Sequence, residues 1–322
     1  MRFLRRNGQA DERRAMAHEQ SEPAYPSPPL ADPPRVAVMT TTRDEADMLP
    51  RWVEYYGRQV GVENLLVLDD NTTDGSTKDL PCSVYRLPPA PWRWDWAAGR
   101  IRLVNGIAQG VLACYDAVVF TDVDEFLVPD PGRYDGLRDY LAARADRAVI
   151  APLALNVLHN PDVEPDLDPA RPVLTQRRFV KFTSVMCKPL VKRIPAAWRP
   201  AFHGINAAYE IDRDLLMLHL KYYDVAALRK VAEHRRMLHE HEARGASSSA
   251  WSMGGDELAS ELLSWVQTPP GEDVREFDPA EPELDRVVQR KAAGFYRSEG
   301  TQLKAMKKNP LRRLPERFSH AF

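Results

Sequence analysis

Apolar positions in the first third of the chain fall into short unbroken runs and one helical stripe. "VAVMT" (residues 36–40) runs into three threonines, Thr40, Thr41 and Thr42, and predicts a buried strand. Leu49, Trp52, Val53, Tyr56 and Val60 then recur at helical spacing. Asp47 is placed to cap that helix, with Pro50 inside its first turn, where a missing N–H costs little. "NLLVLDD" reads as a second strand, followed by the turn-forming "NTTDGS", and "CSVYRL" as a third. A helix is expected over residues 98–113, and "DAVVF" makes a fourth strand. Further on, "AVIAPLALNVL", "CKPLVKR" and "LLMLHLKYY" read as strands, the first two separated by the loop "HNPDVEPDLDPARP". Helices are expected over 224–243, 256–267 and 283–296, with "GASSSAWSMGG" breaking the first two.

Strands alternating with helices imply βαβ units and an α/β fold with a mainly parallel sheet. Ligands of such sheets collect at the carboxyl ends of the strands. Three strands end there in polar clusters, Thr40–Thr42, Asp69–Asp70 and Asp122–Glu125, and together they describe a site. Residues 1–34, crowded with prolines at their end, are expected to be a disordered tail.

Composition narrows the class. The net charge of −2 and pI near 6.5 give no overall attraction to nucleic acid. Cys82, Cys114 and Cys187 are odd in number and far apart, which favours a reducing compartment. No apolar stretch is long enough to span a bilayer, and the basic start lacks the apolar core of a secretory signal. A cytoplasmic protein is the expectation.

The densest chemistry is "FTDVDEFL", residues 120–127. If this segment is extended, Asp122 and Asp124 project together while Val123 points inward. Adjacent carboxylates repel one another unless a cation joins them, and Mg²⁺ or Mn²⁺ suits such a pair. The plain alternative is a strand end with solvated acids, and a bare D-x-D does not exclude it.

Context favours the cation. "RDEADMLPRWVEYYGRQVGVENLLVLDDNTTDGS" and "DAVVFTDVDEFLVPDP" together resemble nucleotide-sugar glycosyltransferases of the GT-A fold, especially family 92-like and family 2-like enzymes. The matching residues are Arg43-Asp44-Glu45, then Asp70-Asn71-Thr72-Thr73-Asp74, then Asp122-Val123-Asp124-Glu125-Phe126. Asp44 stands where these families have Asn, and Thr73 where they have Ser. The resemblance implies a Rossmann-like sheet flanked by helices: a GT-A catalytic domain over 35–225, split into a nucleotide-binding half (35–130) and an acceptor half (131–225). A helical C-terminal extension would cover 226–322.

It also implies roles. Thr40 lies against the nucleoside, and Glu45 belongs to the nucleotide-sugar site. Asp70 accepts a hydrogen bond from the base, Asp122 contacts ribose or metal, and Asp124 ligates a Mn²⁺ or Mg²⁺ ion. His219 completes the metal shell, while Lys221 and Lys188 reach the diphosphate. His203 lies beside the acceptor as a catalytic candidate, with His159 and the acids of "PDVEPDLD" as other general bases. Each has a plainer use. Thr40 is an ordinary strand-end hydroxyl, Asp70 an Asx-turn residue, Glu45 a helix-start acid, and His219 a packed histidine.

The expected activity is transfer of a sugar from a nucleoside diphosphate, UDP among the candidates, to a glycan, lipid-linked or protein hydroxyl. The competing readings are a haloacid-dehalogenase-like phosphatase, whose nucleophile strand also ends in D-x-D, and a non-catalytic nucleotide- or carbohydrate-binding module. Trp92, Trp94 and Trp96 suit either sugar stacking or core packing. His239 and His241 are expected on a solvated helical face. The C-terminal "TQLKAMKKNPLRRLPERF" carries six Lys/Arg against one acid. It is either a solvated tail or a weak contact with anionic lipid at the inner face of the membrane, worth about 1 kcal/mol per basic residue.

Overall fold

The computed structural model describes residues 32–88, 96–242, 252–267, 273–284, 287–300 and 303–322. The expected tail (through residue 31), Trp92, Trp94, most of "GASSSAWSMGG" and the His241 side chain lie outside the described residues. The strands are β1 (Val36–Thr42), β2 (Leu65–Asp69), β3 (Ser83–Arg86), β4 (Ala117–Phe120), β5 (Glu125–Pro129), β6 (Val149–Leu158), β7 (Phe179–Phe182), β8 (Val191–Lys192), β9 (Gly204–Ile205), β10 (Glu210–Tyr222), β11 (Val288–Arg290), β12 (Tyr296–Ser298) and β13 (Arg312–Arg313). Among the described residues, the α-helices of seven residues or more are α1 (Met48–Val60), α2 (Trp96–Val111), α3 (Leu137–Ala143), α4 (Val225–Glu242) and α5 (Gly255–Val266).

The main sheet is mixed and flanked by helices, the Rossmann-like α/β class expected from sequence. One wing, β3-β2-β1-β4, is parallel throughout. Beyond β4 the sheet turns antiparallel through β8 and β6 to β7. β1 and β4 are covered on both faces, which is why their sequences are nearly continuous apolar runs. Val36, Val38, Val67 and Val119 pack with α1 on one face, and Ala37, Met39, Leu68 and Phe120 with α2 on the other.

β5 was not foreseen, and it matters most. It pairs antiparallel with β10, setting His219 opposite Glu125 and Leu218 opposite Phe126. β10 also runs parallel to β6, with His219 opposite Asn156.

Three expectations need correction. The described residues within 283–296 are not helical: β11 and β12 form a hairpin, turning at Gly294 with φ +75°. β12 pairs in turn with β9, and Val288 and Tyr296 pack into the α2-side core, so long-range pairing overrides a local helical pattern. "CKPLVKR" contributes only Val191–Lys192, because Pro189 has no N–H to give a ladder. Asp47 precedes α1 without a capping bond from its side chain; it accepts instead from Arg51 and from the hydroxyl of Tyr223.

The C-terminal residues return to the main body. β13 pairs with β7, and Leu314 and Phe318 join the principal core. Arg312 pairs with Glu281, Arg317 with Asp130 through two 2.9 Å bonds, and Arg313 lies over the Phe179 ring. Three of the six basic side chains are therefore engaged within the fold. Among the described residues, no helix is long and apolar enough to cross a membrane.

Candidate metal and nucleotide site

The stripe that made α1 legible holds the acidic turn in place. The Trp52 indole donates to Thr121 (2.8 Å), and the Tyr56 hydroxyl donates to the Glu125 carbonyl (3.0 Å) while accepting from Leu127 N–H (2.9 Å). Tyr55, which the sequence did not single out, donates to the Leu127 carbonyl. All three rings are essentially fully buried. Buried aromatics whose polar tips are satisfied fix an orientation as well as a depth. Between these anchors the chain turns, with Glu125 N–H bonded to the Asp122 carbonyl (3.1 Å). The segment is thus not extended, and the two aspartates meet different partners. Val123 is buried in the core, as expected.

Asp122 lies among cations. Arg100 from α2 pairs with one of its oxygens, and the Lys188 ammonium lies 3.3 Å from the other. Lys188 is buried and also holds Glu125 at 2.5 Å. Burial opposes charge on Asp122, but Arg100 and Lys188 override it and hold the carboxyl far below its usual range. Burial pushes Glu125 up despite Lys188. Burial would lower Lys188, but Glu125 and Asp122 lift it above the usual lysine range. Arg100 also bonds Thr41 (2.7 Å) and lies over Phe202, 4.9 Å from its centroid. Lys188 therefore faces carboxylates in this arrangement, and each Asp122 oxygen already meets a cationic side chain.

Asp124 is different. Its Oδ2 lies 3.5 Å from His219 Nε2 and 3.7 Å from the Arg235 guanidinium. The other imidazole nitrogen, Nδ1, meets Asn156 Oδ1 at 2.8 Å, while Asn156 Nδ2 donates to Thr183 (2.9 Å). Nδ1 donates to the Asn156 amide oxygen, which turns Nε2 toward Asp124. An N–H fixed by an amide oxygen behind the ring is the support usual for metal-binding histidines. Burial works against a charged Asp124, yet His219 and Arg235 hold it at about 2. One carboxylate oxygen and one imidazole nitrogen fit Mn²⁺ better than Mg²⁺, which prefers oxygen alone. No group of three or more such side chains is gathered for a metal among the described residues. A cation held by this pair would take further ligands from water and substrate.

The other predicted residues are placed as follows. Lys221 is on the same strand face as His219, and burial, with Arg235 adding to it, pushes its ammonium down to about 7. Glu45 is half-buried, and its carboxyl rises to about 7, chiefly through burial; Arg235 opposes the rise and Asp124 adds to it. Thr40 is fully enclosed on the α1 face of β1, its hydroxyl without a hydrogen bond, whereas Thr41 on the opposite face meets Arg100. The two acids ending β2 divide their work. Asp69 makes the turn, accepting from Thr72 N–H (2.7 Å) and Thr77 (3.0 Å), while Asp70 accepts from the Trp96 indole (3.2 Å).

Asp44, the departure from Asn, accepts from Thr73 N–H (2.6 Å) and Asp74 N–H (3.1 Å) and so joins the loops after β1 and β2. Burial opposes its ionisation, but these bonds prevail and lower its pKa.

Two general-base candidates lose their case. His159 uses both nitrogens structurally, one accepting from Val225 N–H (3.3 Å) and the other meeting the Glu164 carbonyl (3.2 Å). Glu164 accepts from Asn160 and Arg178 N–H, both at 2.9 Å. His203 donates from Nδ1 to the Val185 carbonyl (2.6 Å), and burial, with Lys188 nearby, pushes its ring down to about 3. Such an imidazole stays neutral and accepts hydrogen bonds, but it is a weak base. His239 is half-buried on α4.

Sequence reasoning missed Arg100, Arg235 and His234, the last 3.6 Å from Asp44. Both α4 residues lie in a charged helical stretch that reads as solvated, and only the docking of α4 near the acidic turn shows otherwise.

No protein-family model matches the chain, and no curated protein matches it either. Among solved structures, it is similar to a mycobacterial protein (20% identity, TM-score 0.27, 38% of this chain and 41% of that one). It is also similar to glucosyl-3-phosphoglycerate synthase from Mycobacterium tuberculosis (21%, 0.26, 38% and 44%) and to a cytidylyltransferase from Leptospira borgpetersenii (16%, 0.21, 28% and 42%). The chain spans less than half the length of these structures. Likeness of this degree assigns no activity, so the functional reading rests on the side chains.

Proposed function

We propose that the chain is a divalent-metal-dependent glycosyltransferase, moving a sugar from a nucleoside diphosphate to a hydroxyl group. The observation that carries this reading is the approach of His219 Nε2 to the Asp124 carboxylate, close to the carboxyl end of a parallel sheet wing. When bound there, the cation supplies positive charge to the leaving diphosphate.

The chain's own residues do the rest. Asp70, beside the Trp96 indole, accepts from the nucleoside. Arg235 and Lys221 face the diphosphate, whose charge restores a full ammonium on Lys221. In the transfer, the bond from the anomeric carbon to the phosphate oxygen breaks and its electron pair stays with the diphosphate. The acceptor oxygen takes its place, and its proton leaves to the diphosphate or to water.

The phosphatase reading draws no support, since Asp122, its would-be nucleophile, is held on both oxygens by Arg100 and Lys188. Lipid contact at the C-terminus would fall to exposed lysines such as Lys307 and Lys308. Incubation with a panel of nucleotide sugars should release nucleoside diphosphate from one of them in Mn²⁺, and a chelator should stop the release. Release indifferent to chelation, or turnover of an aryl phosphate instead, would remove the reading.

A further inference from the structure

Behind His219 the hydrogen bonds continue into a distant part of the chain. Asn156 on β6, opposite His219 in the sheet, accepts from its Nδ1 (2.8 Å) and donates to the Thr183 hydroxyl (2.9 Å). Asn156 and Thr183 then meet one atom, the sulfur of Met306. The Thr183 hydroxyl donates to it at 3.3 Å and the Asn156 amide at 3.7 Å. Met306 belongs to a short 3₁₀ helix, Leu303–Lys308, ahead of β13. Lys181 fixes that helix by donating to the carbonyls of Met306 (3.2 Å) and Lys307 (3.4 Å). Asn309, the residue after it, donates to the Phe182 carbonyl (2.7 Å). Asn156, Thr183 and Met306 are fully buried.

The order of donors and acceptors follows from the sulfur. A thioether accepts hydrogen bonds and cannot donate one. The Thr183 hydroxyl gives its hydrogen to Met306, which leaves only lone pairs for Asn156, so it faces the amide NH₂. The amide oxygen is thereby turned to His219, where it requires a hydrogen on Nδ1. The reverse order would set an amide oxygen against the sulfur, acceptor against acceptor. It would also face the NH₂ to Nδ1 and move the hydrogen of a neutral ring to Nε2, beside Asp124. Buried polar groups of this kind have no bulk water to make good a mismatch.

We infer that Met306 is a positioning residue for the metal site: its sulfur sets the polarity of the Thr183–Asn156–His219 chain and so reserves His219 Nε2 for a cation. In a histidine that binds a metal, one ring nitrogen carries the hydrogen and the other the metal. With the hydrogen on Nε2, the ring would donate to Asp124 and close the pair against the ion. A C-terminal segment that reads as a tail in the sequence thus governs the site from behind. The role for the cation rests on the glycosyltransferase reading; the placement of the hydrogen stands on the buried chain alone.

Nuclear magnetic resonance of the metal-free full chain, with isotopically labelled histidine nitrogens and at a pH where the ring is neutral, reads which nitrogen carries the hydrogen. The His219 signals are identified by their loss in His219→Gln. Wild type should show Nδ1–H. Met306→Leu, which conserves volume and removes the acceptor, should move the hydrogen wholly or in part to Nε2. It should also weaken binding of Mn²⁺ alone roughly tenfold, the low end for a lost partner behind a metal-binding histidine. Asn156→Asp in the Met306→Leu background puts an acceptor-only carboxylate behind the ring, to which Thr183 can turn its hydroxyl. That double variant should restore Nδ1–H and recover Mn²⁺ binding, which repair of packing alone would not do. Thermal unfolding checks that each variant is folded. Nε2–H in wild type, or Nδ1–H retained in Met306→Leu whatever its Mn²⁺ affinity, overturns the inference. A hydrogen that follows Met306 in a protein that binds no Mn²⁺ would leave the polarity chain standing and remove the metal from the transferase reading.

Discussion

Replacing Lys188 with methionine should cost the fold about 3–5 kcal/mol at neutral pH, the usual result of stripping a buried acid of its counter-charge. The ammonium is 4% exposed and the Glu125 carboxyl that it holds 1%, so no water replaces the lost partner. The loss should depend on pH in a definite direction. Burial already raises Glu125 above its unfolded pKa, and removing Lys188 raises it further. The folded variant then binds a proton more tightly than the unfolded chain, so its stability recovers as pH falls toward the ordinary glutamate range. Urea unfolding at several pH values checks this. The double change Lys188→Met with Glu125→Gln should regain most of the loss at neutral pH. A loss that is the same at every pH would show that the ion cluster is not its cause.

Asp124→Asn should reduce Mn²⁺-dependent release of nucleoside diphosphate by roughly 100-fold or more, given that even residues supporting a metal ligand cost 10–100-fold. The substitution keeps shape and removes charge, so thermal unfolding near neutral pH distinguishes a lost ligand from a lost fold. Asp124 has a depressed pKa, and its stabilising contribution is complete above the usual aspartate range and fades as pH falls toward about 2. An unchanged Mn²⁺ requirement in this variant would take the metal away from Asp124.

The residues that announce these sites in the sequence do so through local spacing. α1 was legible because Leu49, Trp52, Val53, Tyr56 and Val60 repeat at one period, and β1, β2 and β4 because buried parallel strands are unbroken apolar runs. What lay beyond reach was pairing between distant segments. "EFLVP", short and opening on the last of three clustered acids, does not read as a strand, yet its pairing with β10 carries His219 to Asp124. The same blindness turned β11 and β12 into a helix, since nothing local reveals that β9 is waiting for them. Adjacent acids show a finer limit. Asp69 and Asp70 are equivalent by motif, and only strand alternation decides which one closes the turn and which one meets Trp96. The D-x-D was easy to find, but its division into a cation-bound Asp122 and a histidine-facing Asp124 depends on Arg100, Lys188 and His219, each from a different element.

With Asp124 and His219 as the proposed protein donors, Mn²⁺ affinity should depend on what else supplies oxygens. Titration of Mn²⁺ into the full chain, with free ion followed by electron paramagnetic resonance, should show weak binding alone and at least tenfold tighter binding in a nucleoside diphosphate. By reciprocity the nucleotide should tighten by the same factor when Mn²⁺ is present. Equal Mn²⁺ affinity with and without every nucleoside diphosphate tried would contradict a metal held between Asp124, His219 and a pyrophosphate.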